Sequence, residues 1–178
     1  MTVTTDEALG SDRARTITQL LAVTPDDVPG VVDMLRRLQP VLEGGPRGAE
    51  DGVACFNVLY ERVTAEVLEQ LQDPDQGLFR DPEFLARLDV EFARRYFAAL
   101  RADATGGAAP RAWKVLFDRR DHPDTGPMEF AVCGVNAHVN YDLAPAVVRT
   151  CTVLGRRELG NAEHHDHQAV NAVFARHM

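Results

Sequence analysis

Serine occurs once in the 178 residues, at Ser11 near the N-terminus. A single hydroxyl in a polar segment excludes a serine nucleophile, and no GxSxG segment exists to hold one. Lysine is as scarce: Lys114 is the only one among 19 basic residues, and Ile17 is the only isoleucine. The three cysteines, Cys55, Cys133 and Cys151, are far apart and form no CxxC. They read as small buried hydrophobes in a reducing compartment rather than as a disulfide or zinc framework. No apolar run approaches about 18 residues, so no membrane span is expected. Met1 to Ser11 has neither a basic start nor an apolar core, so a secretory signal is not expected. Together these points predict a cytoplasmic protein. A basic face is missing too: 27 acidic residues against 19 basic ones give a net charge of −8. That balance excludes a non-specific nucleic-acid binder. A P-loop, a Rossmann glycine fingerprint, HExxH and an EF-hand loop are all missing.

What is present is helical periodicity. Residues 1–12 are polar and aperiodic and read as a flexible tail, with a single helical domain over 13–178. Asp12 to Val23 is compatible with a short helix. Thr24-Pro25-Asp26-Asp27 has the form of a helix start, with Thr as cap, and the helix that follows meets Pro40. Glu43 to Gly52, with four glycines and a proline, reads as a loop. Phe56, Leu59, Tyr60, Val63, Val67 and Leu71 recur at helical spacing over Val53 to Leu71. Gln72 to Arg80, with Pro74 and Gly77, reads as a loop. Asp81-Pro82-Glu83 opens a further helix to about Ala102, and Pro110 opens a short one containing Trp113. Met128 to Leu143 reads as a long helix that Pro145 interrupts or ends. His164 to His177 closes the chain. No alternating strand pattern is found. The expected fold is all-α, a bundle of five to seven helices with a buried central helix around 128–144.

Polar residues inside apolar arcs are the informative feature, because a buried polar group needs a partner or a purpose. Asp89 falls within the arc of Phe84, Leu85, Leu88, Phe92, Tyr96 and Leu100. Glu91 and Arg95 lie to one side as an exposed i,i+4 pair. The Met128–Leu143 helix has almost no polar face, yet it holds Asn136, His138, Asn140 and Asp142. His138 and Asp142 share one stripe, four residues apart. An imidazole and a carboxylate on successive turns offer two metal ligands, or a carboxylate-oriented base. Gly134 and Ala131 on that stripe leave room above the imidazole for a ligand or another backbone. In His164-His165-Asp166-His167, one His or Asp166 could complete the site from another helix; the alternative is a solvated helix start. His122 reads as surface. Cys133 lies on the far side of its helix from His138, which disfavours a Cys–His nucleophile.

Ala54-Cys55-Phe56-Asn57, Leu88-Asp89-Val90, Arg95-Tyr96-Phe97, Pro110-Arg111-Ala112-Trp113 and Asn136-Ala137-His138-Val139-Asn140-Tyr141-Asp142-Leu143 resemble domain of unknown function 5995. That family is largely actinobacterial, and the likeness covers about residues 50–175. It implies no activity. Ala137-His138 to Asp142 is also similar to the Ala-His-x-x-x-Asp helix of the zinc-dependent phospholipase C and P1 nuclease group. No further His follows Asp142 at short distance and no N-terminal Trp ligand exists, so this likeness implies one metal rather than three.

The resulting expectation is a metal-dependent enzyme that hydrolyses a small molecule with a metal-activated water. His138, Asp142 and Asp89 would hold one divalent ion (Zn, Mn or Fe) and perform the catalysis. Asn136, Asn140, Tyr96 and Trp113 would contact substrate. The alternatives are a metal-free acid–base enzyme of secondary metabolism, catalysing cyclisation or isomerisation, and a non-enzymatic helical module for an apolar ligand or partner.

Overall fold

The computed structural model describes residues 3–73 and 77–177, with side chains from Gly10 onward. Pro74 and the first two residues of the expected tail lie outside the described residues. The helices are α1 (Val3–Leu20), α2 (Val28–Leu42), α3 (Gly52–Gln72), α4 (Pro82–Ala104), α5 (Arg111–Phe117), α6 (Pro127–Ala137), α7 (Leu143–Leu154) and α8 (Asn161–His177). A π-helical turn, His138–Asp142, joins α6 to α7 without a break. The fold is all-α, with no strand among the described residues, and counting α6–π–α7 as one rod gives seven. None of these helices is long and apolar enough to cross a membrane.

Several local expectations change. Helix α1 begins at Val3, within the segment expected to be a tail. The cap of α2 is Asp27, not Thr24; its carboxylate accepts from Gly30 N at 2.8 Å. Pro40 lies inside the last turn of α2 instead of ending it. Pro145 likewise sits inside a continuing rod. A proline there has no N–H for Tyr141 C=O and would crowd it. The π turn ending three residues earlier widens the backbone at that place and relieves the conflict. The 128–144 segment is buried on one face only: Met128, Val132, Val139 and Tyr141 are exposed.

The core gathers Leu35, Leu38, Leu42, Phe56, Phe97, Leu100, Trp113, Leu116 and Phe130. Helices α3 and α6 meet through two reciprocal notches. A Cβ on Gly52 would lie 2.6 Å from the Phe130 ring, and one on Gly134 would lie 2.4 Å from the Phe56 ring. The small residues above the imidazole therefore admit Phe56, not a ligand.

Asp51, within the expected 43–52 loop, is fully buried and caps α3 through Val53 N (2.9 Å) and Ala54 N (3.2 Å). It also takes a two-pronged ion pair from Arg120, Nε to Oδ2 at 2.7 Å and Nη2 to Oδ1 at 2.8 Å. This arginine is itself buried.

Helix α8 docks through Val173 against Val67 and Leu85. Asp166 is buried and accepts from Arg80 N (2.8 Å) and Asp81 N (2.7 Å), at the entry to α4. It is thus neither part of a solvated helix start nor free for chemistry. The cap itself is as expected: Asp81 accepts from Phe84 N at 3.0 Å. Glu91, expected on the surface with Arg95, is buried and pairs with Arg87 and Arg94 instead.

Candidate functional site

Helices α3 and α4, the α6–π–α7 rod and α8 enclose a cavity of about 440 Å³. Its walls are largely aliphatic and aromatic, including Leu59, Val63, Val67, Leu88, Phe92 and Leu143. A volume of this order accommodates a small molecule. Into it face His138 and Asp89, from two different helices.

The imidazole is held on every side. Its Nδ1 lies 3.2 Å from Asp142 Oδ2. The same oxygen accepts from Trp113 Nε1 at 2.9 Å. Indole nitrogen can only donate, so Oδ2 accepts from Trp113; as a carboxylate oxygen it accepts from His138 too, which puts the imidazole proton on Nδ1. The lone pair of the neutral ring is then on Nε2. That atom is buried and has no hydrogen-bond partner. Phe92 stacks on the ring, centroids 3.4 Å apart and planes 7° apart. Tyr60 meets it edge-on at 4.6 Å. Burial lowers the His138 pKa, and the bond to Asp142 opposes that shift.

Asp89 is one helical turn before Phe92 on α4, so it stands on the side that covers the imidazole. As a residue it is partly exposed, but its Oδ2 is sealed from solvent and has no partner. Burial raises its pKa from 3.8 to about 7. On α3, Tyr60 Oη and Thr64 Oγ1 are likewise buried, and Thr64, one turn along the helix, is the hydrogen-bonding neighbour of the Tyr60 phenol. Burial, then the charges of Asp89 and Asp142, push the Tyr60 phenol well above its ordinary range. Two polar atoms, His138 Nε2 and Asp89 Oδ2, are thus left without a partner, each on a residue that lines the apolar cavity. Buried polar groups are normally paired, and an unpaired one costs about 1–3 kcal/mol.

The sequence model of the DUF5995 family, a family of unknown function, matches residues 28–178. The chain belongs to this family. No curated protein and no solved structure matches it.

In this DUF5995 chain the expected site residues separate into four sets. Asp89 and His138 face the cavity. Asp142 and Trp113 stand behind the imidazole, and Trp113 is fully buried, so it positions Asp142 and touches no cavity occupant. Tyr96 is also fully buried; its hydroxyl donates to Asn57 Oδ1 at 3.2 Å, which places it in the core instead of on the substrate wall. Asn136 and Asn140 line the cavity at its exposed edge, where Asn140 Nδ2 donates to Asn136 Oδ1. His167 and Asn171 line it from α8, whereas His122 is exposed. Tyr60 and Thr64 were hidden among the apolar periodicity of α3. The one available signal was their i,i+4 spacing on a buried stripe.

Among the described residues, no group of three or more His, Cys, Asp or Glu side chains could hold a metal. Asp142 Oδ2 is taken by two donors, and His138 spends Nδ1 on it. The expected His138, Asp142 and Asp89 set is not such a group among the described residues.

Proposed function

We propose that the cavity binds a small, largely apolar molecule and carries out metal-free acid–base chemistry on it, such as an isomerisation or cyclisation. The reading rests on one observation: His138 and Asp89, each with a buried polar atom that has no partner, line a space of ligand size. His138 Nε2 accepts a proton from the substrate. Asp142, at 3.2 Å, stabilises the imidazolium so formed, and Trp113 keeps Asp142 in place. The proton returns to the product from His138. Asp89, with its pKa near 7, is the second group able to give or take one near neutrality. No electrons change hands, so no redox partner is required.

Deuterium exchange tests this. Carbonyl, hydroxyl and amine compounds are incubated with the protein in D2O and followed by mass spectrometry. The expected result is catalysed exchange into at least one compound, unaffected by dialysis against a chelator. His138→Gln should slow it by about 100-fold or more with the melting temperature retained. Compounds that bind wild type and His138→Gln equally, with no exchange, would instead identify a ligand-binding module. The mostly apolar lining favours that second reading.

A further inference from the structure

The orphaned atoms carry information about the ligand's own polarity. Because His138 Nδ1 holds the ring proton against Asp142, Nε2 can only accept in the neutral ring. Asp89 Oδ2 accepts when ionised. The hydroxyls of Tyr60 and Thr64 can accept as well as donate. The cavity therefore asks its occupant for hydrogen-bond donors. It offers no cation: among the described residues no lysine or arginine lines it. Arg156, which lies over the Phe84 ring at 5.3 Å, is held by Asp81 and Glu163. Five aromatic rings line the space, those of Phe56, Tyr60, Phe84, Phe92 and Phe174. Aromatic faces attract cations.

We infer that the ligand is an organic amine, bound as its ammonium ion with Asp89 as counter-ion, His138 Nε2 as a further acceptor, and an apolar body among the aromatic rings. This rests on the reading of the cavity as a small-molecule site and names the class of molecule. An ammonium group brings one positive charge and several donors to a place that has acceptors without partners. A carboxylate or phosphate would meet Asp89 with no opposing charge. An alcohol would bring one donor to several acceptors. The isolated carboxylate is costly while the cavity is empty, as its raised pKa reflects. With the amine bound, Asp89 is ionised and serves as anchor, which leaves His138 as the proton acceptor.

Three probes that differ at one end decide the matter: phenylbutylamine, phenylbutanol and phenylbutyrate, titrated calorimetrically into the full chain near neutral pH. The amine should bind at least about ten-fold more tightly than the alcohol, with the acid weakest. Asp89→Asn should weaken amine binding about ten-fold or more and leave alcohol binding within about two-fold. Carbon-13 carboxyl NMR of the wild type gives the same answer without a variant: the amine should move the Asp89 signal to its ionised position, and the alcohol should not. Equal or tighter binding of the alcohol or acid overturns the inference, and the acid–base reading then stands on its exchange assay. Amine binding that ignores Asp89→Asn overturns it too. If none of the three enters the cavity, both the amine assignment and the small-molecule site fall.

Discussion

The imidazole of His138 lies flat on the ring of Phe92, with centroids 3.4 Å apart and planes 7° apart. A ring stacked on one side and bonded through Nδ1 to Asp142 has little freedom to turn. Its orientation, and so the direction in which Nε2 points, is built into the packing of α4 against the π turn. A base held in this way needs no reorganisation before it accepts a proton.

The first prediction concerns the charge behind that imidazole. In Asp142→Asn the amide oxygen can take the place of Oδ2 and accept from both Trp113 and His138 Nδ1, so the tautomer is kept, but the negative charge that stabilises the imidazolium is gone. Nitrogen-15 NMR of the His138 ring is expected to show the proton still on Nδ1, with proton exchange slowed by about 100-fold or more. Undiminished exchange would remove Asp142 from the stabilising role.

Asp89 should make stability fall as pH rises. Its folded pKa, about 7, is above its unfolded value of 3.8. Its contribution is therefore complete below about pH 4 and is lost as pH increases through 7. Asp89→Asn carries no such charge. Denaturant titrations should find the variant gaining on wild type by about 1–3 kcal/mol between pH 4 and pH 8. Parallel curves for the two proteins would mean that the carboxylate is not desolvated.

His138 acts in the opposite direction. Burial lowers its folded pKa, so the stability it contributes is present above the ordinary imidazole range and lost as pH falls through that range. Melting temperatures followed from pH 7.5 down to pH 5 should decline less for His138→Gln than for wild type.

The two glycine notches predict steric intolerance. Gly134→Ala would place a methyl 2.4 Å from Phe56, and Gly52→Ala one 2.6 Å from Phe130. Alanine is otherwise the better helix former by about 1 kcal/mol. A net loss of about 1–3 kcal/mol in chemical denaturation is nevertheless expected, because the rings cannot withdraw from a packed core. A gain in stability at either position would show that α3 and α6 can separate cheaply.

Removing Arg120 should be the most damaging of these changes. Asp51 is fully buried, and Arg120→Ala would deprive it of both short bonds. A loss of about 3–5 kcal/mol is expected, since the buried carboxylate keeps only its two backbone donors and the longer Arg13 contact at 3.5 Å. Arg15→Ala, at an exposed pair with Asp12, should stay within about 0.5 kcal/mol.

Much of the architecture is legible along the chain because helices are local objects. The Asp81 cap and the Phe56–Leu71 periodicity each arise within a few residues. The His138–Asp142 pair is legible for the same reason: four residues on a helix always place two side chains near each other. Errors occur where a distant partner decides. Glu91 has acceptable neighbours at several helical offsets, and only burial selects Arg87 and Arg94 over Arg95. Gly134 signals a space, but not that Phe56 fills it.

The sequence by itself determined that this protein is helical, that Asp89 and His138 lie on apolar arcs, and that Asp142 is within reach of the imidazole. Spacing and amphipathicity suffice for that, since both act over a few residues. Tertiary structure alone decided that Trp113, 29 residues from Asp142, takes the same carboxylate oxygen as His138. It also decided that Asp89 and His138 line one cavity, each with a polar atom left unpaired. Hydrogen-bond satisfaction and burial are properties of what packs across from a residue, and neither can be read from the residues beside it.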